Sequence, residues 1–322
     1  MPDRRQTLSI LAGGIVMPLG RAFASAIRER PLVLEGDPAP LHGTLTLPDA
    51  PSGETPGVLI VAGSGPVDRD GNLPGMRNDS LKQLAHGLAQ RGIASLRVDK
   101  RGIGMSREAA PREEDLRFGT YVEDAARWAH RLRAEPGIGR VALIGHSEGA
   151  LVVTMAAKTA GDVVGLVLVA GAGQAAGRLI RQQLAAAGLP PALREAADRA
   201  LSELEVGRMV PDAPRELAAL FRPSVQPYMA SWVGLDPAAE LAATGGPALV
   251  IQGTTDLQVS PDDAGRLAAS RAGVERVLVE GMNHVLKAAP PDRAANLATY
   301  GDPALPIVPG VVDRIAGFLG VA

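Results

Sequence analysis

The chain contains no cysteine, which excludes disulfides, thiol nucleophiles and cysteine-ligated metals together. That absence leaves the compartment open, because an exported protein can do without disulfides. Aromatic residues make up only 3% of the 322 residues, so a core has to be built from Ala, Val, Leu and Ile. A basic excess is missing too. The formal net charge of −2 offers no field for nucleic acid. No apolar run reaches the length a helix needs to cross a bilayer, so no stable membrane anchor is expected. What is present is 46% hydrophobic and 21% charged residues, which suits a globular chain with a large core.

The N-terminus reads as a leader. Asp3-Arg-Arg-Gln-Thr-Leu8 places paired arginines before a modestly apolar stretch from Leu8 to Leu19, and Ala22-Phe-Ala24 forms a small-residue cleavage site. A basic end, a short apolar middle and such a site are the parts of a secretory signal, and the adjacent arginines resemble a twin-arginine export signal. Residues 1–24 are therefore expected to be an export signal peptide, with the mature chain 25–322 in the periplasm. Loss of three basic residues and one acidic residue moves the net charge from −2 to −4.

Beyond the leader, short apolar runs alternate with helical patterns. Strands are predicted at Leu32–Glu35, Leu41–Leu47, Gly57–Ala62, Ile93–Val98, Val141–Ile144, Val163–Ala170, Ala248–Gln252 and Arg276–Glu280. Leu81, Leu84, Ala85 and Leu88 share one helix face, as do Phe118, Tyr121, Val122, Ala125, Trp128, Ala129 and Leu132. This rhythm predicts an α/β fold with a mostly parallel central sheet and helices on both faces. It breaks between about 174 and 244, where helical segments and prolines replace strands. That stretch is expected to be a helical cap inserted into the 25–322 domain.

Gly145-His-Ser-Glu-Gly149 carries the chemistry. It lies between an apolar strand and a buried helix, the context of a G-x-S-x-G nucleophile elbow. Glycines flank the serine because the turn is tight and backbones approach closely there. The Glu148 N–H, opening the helix, is then aimed where an oxyanion forms. A serine needs a base, and the base needs an orienting carboxylate, in the chain order Ser, Asp, His on such a sheet. Asp256 follows the strand ALVIQ and His284 follows RVLVE, so both stand at the edge where Ser147 emerges. The loop Gly63-Ser-Gly-Pro-Val-Asp-Arg-Asp-Gly-Asn72 follows an early strand and offers the Ser64 N–H as a second oxyanion donor. Of the other histidines, His42, His86 and His130 read as outer positions. His146 is too near Ser147 in sequence to be its base, and packs or lines a pocket.

Several patterns point elsewhere. Asp68-Arg-Asp-Gly-Asn72 has calcium-loop spacing at its start but Leu73 at position six and Asp79 at position twelve, so no metal is expected. Gly171-Ala-Gly-Gln-Ala-Ala176 fits a dinucleotide fingerprint but precedes the cap, where it reads as a hinge. The charges of Asp99-Lys-Arg101 read as a brace at the sheet edge. Asp262 and Asp263 belong to a helix start. Phe221, Tyr228, Met229 and Trp232 either line an acyl pocket or pack the cap.

The segments GSGPVDRDGN (63–72), DKRGIGMS (99–106), GHSEG (145–149), GTTDLQV (253–259) and GMNH (281–284) together resemble the α/β-hydrolase superfamily, and more narrowly its bacterial serine esterases and S33-type, serine aminopeptidase-like hydrolases. The resemblance implies the α/β-hydrolase fold and a Ser147–Asp256–His284 triad that needs no cofactor. Many relatives carry a histidine where this chain has Ala62. The expected activity is hydrolysis of small-molecule carboxylic esters with small to medium acyl groups. A peptidase would use the same triad and need a cap carboxylate, for which Glu195, Glu203 and Glu205 are candidates. A thioesterase, a lactonase and a non-catalytic binding protein on this fold are further alternatives.

Overall fold

The computed structural model describes residues 27–49 and 53–321. The leader read at residues 1–24 lies outside them. Eight strands form one sheet in the order β1-β2-β4-β3-β5-β6-β7-β8. In chain order they are β1 (Arg28–Leu34), β2 (Leu41–Leu47), β3 (Thr55–Val61), β4 (Ala94–Val98), β5 (Ile138–His146), β6 (Val163–Val169), β7 (Ala248–Gly253) and β8 (Val274–Val279). β2 runs antiparallel to β1 and β4; every pair from β4 through β8 is parallel. Each predicted strand is present. β1 begins four residues earlier than its apolar run, because pairing of Arg28 with Leu47 through Leu34 with Leu41 carries it along β2. Charges are tolerated there because the strand lies at the sheet's edge.

The core follows from the two-residue period of a strand. Leu59, Val61, Leu143, Leu166 and Leu168 face one side, against α2 (Phe118–Arg133), α3 (Glu148–Ala156) and α9 (Pro261–Ala269). Val58, Ile60, Ile144, Val167 and Val169 face the other, against α1 (Ser80–Gln90) and α11 (Pro309–Phe318). Each such side chain, buried on both sides of the sheet, contributes roughly 1.5–3 kcal/mol relative to exposure. Near-continuous apolar strands are what two covered faces require.

Between β6 and β7 the chain leaves the sheet for α4 (Ala176–Ala186), α5 (Pro191–Glu205), α6 (Ala218–Phe221), α7 (Gln226–Ala230) and α8 (Pro237–Ala242). This segment has its own small core, in which Leu201, Leu204, Phe221 and Val233 are fully buried. Phe221 thus packs the helical segment. A short helix not evident in the sequence, α10 (Arg293–Ala298), sits between β8 and α11. Among the described residues no helix is long and apolar enough to cross a membrane.

The registers align the strand ends. Val61 pairs with Gly145, His146 with Val169, Val169 with Ile251, and Gly253 with Val279. The segments after β3, β5, β7 and β8 therefore emerge side by side at the C-terminal edge, beside the point where strand order reverses between β3 and β5.

Candidate active site

Ser147 sits between β5 and α3 with φ 55° and ψ −121°. That is a region an L-residue occupies only under constraint, at a cost of about 1–3 kcal/mol. The constraint is local. A Cβ on Gly145 would lie 2.2 Å from Gly149 O, and one on Gly149 would lie 2.3 Å from Val61 O. The Ser147 N–H donates to Val169 O at 2.9 Å, pinning the turn to β6. Ser147 is half-buried at the junction of two cavities. A chamber of about 550 Å³ lies under the helical segment, and one of about 110 Å³ lies on the other side.

The smaller chamber is lined by Ser147 and His284 together. His284 Nδ1 donates to Asp256 Oδ2 at 2.9 Å, which leaves Nε2 to accept a proton. The Asp256 side chain is fully enclosed and four donors converge on it. The Gln258 and Val259 amides bond Oδ1 at 2.7 and 3.1 Å, and Gln252 Nε2 bonds Oδ2 at 3.0 Å beside His284. Burial alone would raise the Asp256 pKa. The charge and hydrogen bond of His284, with the two amides, outweigh it and hold the carboxyl below its ordinary value.

The loops carrying these two residues are tied to each other. Asn283 is fully buried; its Oδ1 accepts from the Val285 and Lys287 amides, and its Nδ2 reaches Asn296 Oδ1 and Thr299 Oγ1. Asn296, on α10, donates to Thr255 O at 2.8 Å and Pro290 O at 3.0 Å. One buried amide thereby joins the residue before Asp256 to the residue before His284. Gln252 and Asn296 lie in no motif, and Asn283 stands inside GMNH without a role of its own there; only their contacts reveal what they do.

His146 is buried, with Nε2 donating to the His284 carbonyl at 2.8 Å. Burial and repulsion from His284 push its pKa down to about 4, so it stays neutral near pH 7. It packs against His284, with ring centroids 4.9 Å apart.

Ser64 lies in the exposed loop after β3 and lines both chambers beside Ser147. A Cβ on Gly63 would sit 3.0 Å from Ser147 Cβ, so this loop presses directly on the elbow. Glu148 begins α3, and its amide is among the first N–H groups of the helix, which lack an intrahelical acceptor. Its carboxylate is buried and lines the large chamber. Lys100 Nζ lies 3.5 Å from that carboxylate and donates to Gly63 O. Tyr228, Met229 and Trp232 also line this chamber. Burial and the nearby Glu148 charge raise the Tyr228 pKa well above its ordinary value.

The remaining patterns resolve into structure. Asp99 bonds the Arg69 amide at 2.8 Å and the Met105 amide at 2.9 Å, and Arg101 bonds Asp124, as a brace should. Lys100, read with them in the sequence, instead turns into the chamber, which is a correction to that reading. Asp68 accepts from the amides of Asp70 and Asn72, closing its own loop. Among the described residues no group of three His, Asp or Glu side chains is placed to hold a metal. Gly173 packs against Asp263 O, and Ser260 caps α9 in a capping box with Asp263. Glu203 pairs with Arg208 and Glu205 with Arg181, while Glu195 is exposed; none of the three lines the chamber.

Comparison with known proteins bears on the family and the fold. The sequence profile of the Alpha/beta hydrolase family matches residues 58–299. Esterase EstD of Thermotoga maritima is 26% identical over 260 residues, which is 76% of this chain; the chain spans 58% of that relative's length. Among solved structures, Est1E from Butyrivibrio proteoclasticus with bound ferulic acid superposes with a TM-score of 0.57 at 15% identity, covering 90% of this chain and 99% of its own. The alpha/beta hydrolase GrgF from Penicillium sp. sh18 gives 0.57 at 18% identity, covering 91% and 98%. At these identities the likeness is one of fold.

Proposed function

The chain belongs to the alpha/beta hydrolase family, and on that premise we propose that it hydrolyses carboxylic esters of small to medium acyl groups through an acyl-enzyme. The observation that carries this reading is the 2.9 Å Asp256–His284 hydrogen bond, with Ser147 strained at an elbow on the same chamber. The curated esterase relative supports the same reaction class.

The steps follow from the proton inventory. His284, with its hydrogen on Nδ1, takes the Ser147 hydroxyl proton at Nε2 as Oγ bonds to the ester carbonyl carbon. The carbonyl oxygen becomes an oxyanion, held by the Ser64 and Glu148 amides, while Asp256 stabilises the imidazolium. The tetrahedral adduct collapses by breaking the carbon–alkoxy bond, and the departing alkoxide takes the proton from His284. Water then attacks the acyl-enzyme and gives a proton to His284. Collapse breaks the Ser147 ester, returns that proton to Oγ and releases the carboxylic acid. One arm of the ester occupies the large chamber and the other arm the small one.

Hydrolysis of p-nitrophenyl acyl esters of graded length, beside amino-acid p-nitroanilides, tests the proposal. We expect ester turnover that declines once the acyl chain outgrows its chamber, and loss by 10⁴ to 10⁶ in Ser147→Ala, on the order seen when such a unit is broken. Retained turnover in Ser147→Ala would overturn the mechanism. Turnover of anilides alone would replace the esterase by a peptidase on the same three residues. We also propose the export role of residues 1–24. N-terminal sequencing of the protein from its producing cell should begin at Ser25, and a chain beginning at Met1 removes that proposal.

A further inference from the structure

The mechanism above leaves Lys100 unused, yet its placement is costly. Its side chain is 4% exposed and the Glu148 side chain 2% exposed, so two charges are withdrawn from water in the chamber that Ser147 also lines. Such a pair is a poor source of stability, since desolvation offsets most of the attraction and a well-packed apolar pair does as well. Burial correspondingly lowers the Lys100 pKa, with Glu148 opposing it.

What the ammonium touches gives it a role. Lys100 Nζ donates to the carbonyl oxygen of Gly63. The Gly63 C=O and the Ser64 N–H are opposite ends of one planar peptide unit, so fixing the direction of the oxygen fixes the direction of the hydrogen. A positive charge on the oxygen also draws electron density from the N–H and makes it a stronger donor, an effect enhanced where water is excluded. Ser64, Gly65 and Pro66 are exposed, and Gly65 has φ +74°, so the tip of this loop has little packing to orient it. The second partner of Lys100 is Glu148, whose own amide is the other proposed donor. A single buried ion pair therefore connects the two peptides that face the reacting carbonyl.

We infer that Lys100 is a positioning residue for the oxyanion hole. It orients and polarises the Gly63–Ser64 peptide and, through Glu148, locks that loop to the start of α3. This rests on the reading in which the Ser64 and Glu148 amides receive the oxyanion. A brace for the fold alone would affect every substrate equally; a device that sharpens an oxyanion hole acts on the charge that develops on oxygen.

The test compares a p-nitrophenyl ester with its thiono analogue, whose C=S sulfur accepts hydrogen bonds weakly, in the full-length protein. Lys100→Met combined with Glu148→Gln removes the pair without leaving a lone buried charge. Deleting one oxyanion donor outright costs about 10²–10³ in kcat, so misorienting one should lower kcat on the oxo ester by about tenfold to a hundredfold. We expect KM within about threefold and thionoester turnover nearly unchanged, so that the oxo-to-thiono ratio falls with kcat. Equal losses on both esters, or no loss, overturn the inference. Should the double variant fail to fold, Lys100→Arg keeps the charge but displaces the donor, and its ratio should fall severalfold; an unchanged ratio overturns the inference there too. Ser147→Ala is run alongside. If it is inactive and the ratio does not move, only the role of Lys100 fails. If it stays active, the acyl-enzyme reading fails and takes the role of Lys100 with it.

Discussion

The two flanks of Ser147 are held by different kinds of bond. On the flank of Asp256 and His284, neutral amides do the holding: Gln252, the Gln258 and Val259 N–H groups, Asn283 and Asn296. On the other flank, a buried ammonium and carboxylate join the Gly63–Ser64 peptide to α3. A network of several neutral bonds spreads its contribution, and the loss of one member is local. A charge pair concentrates it, and the loss of one partner strands the other. Under the proposed mechanism, the residue that carries a transient positive charge is thus surrounded by fixed dipoles and one carboxylate, while the site that receives negative charge is braced by a cation.

Substitutions can break or sharpen this contrast. The largest effect is expected from His284→Ala, which should lower kcat by 10⁴ to 10⁶, and Asp256→Asn should cost somewhat less, on the order of 10⁴, because geometry survives while the imidazole tautomer is lost. Steady-state kinetics on one p-nitrophenyl ester decides both. Equal losses in the two would assign Asp256 more than an orienting role. Next comes Asn296→Ala. It leaves Thr255 O and Asn283 Nδ2 short of a partner, so thermal melts should show about 1–3 kcal/mol of lost stability. Its kcat should fall roughly tenfold to a hundredfold through misplacement of the base. A loss as great as that of Asp256→Asn would show that the neutral flank is not distributed after all.

The effect expected to change turnover least is one of stability with pH. The folded pKa of His146 is lowered from 6.5 to about 4, so the unfolded chain binds a proton that the native one refuses between those values. Stability from the neutral imidazole is full above pH 6.5 and is lost as pH falls toward 4, by about 3 kcal/mol. Asp256 acts in the same sense but lower. Its depressed pKa supports stability above the ordinary carboxylate value, and that support is lost only as pH falls through the folded value. Melting temperatures of His146→Gln should therefore vary less between pH 6.5 and 4 than those of the parent, and an unchanged slope would refute the assignment.

Much of this architecture was legible because strands covered on both faces must be apolar throughout. GVLIVA, VALI, VVGLVLVA and ALVIQ announce themselves by composition, and the glycines around Ser147 mark a turn that no other residue would fit. Strand ends were less legible, since β1 extends into Arg28-Glu-Arg30 through pairing and not through hydrophobicity. The aromatics of the helical segment could not be sorted from sequence: Phe221 faces its own helices while Tyr228 and Trp232 face the chamber, a distinction set by how short helices cross. Lys100 was hidden by its neighbours. In Asp99-Lys-Arg101 alternate residues point to opposite sides, so two charges brace loops and the one between them enters the site. Asn296 was invisible for another reason, because it lies twelve residues beyond His284, outside every motif, and a lone amide has no pattern to belong to.

The elbow stands at a partition between chambers of about 550 Å³ and about 110 Å³. Under the proposed reaction, a molecule bulky at both ends cannot be seated either way round, however tightly one end would fit. A molecule small at both ends fits, but leaves most of the larger room to water and gains little from it. On that proposal the protein would sort molecules by lopsidedness and not by total size. Two isomeric esters of identical formula, one symmetric about its ester linkage and one not, would fare differently in it for that reason alone.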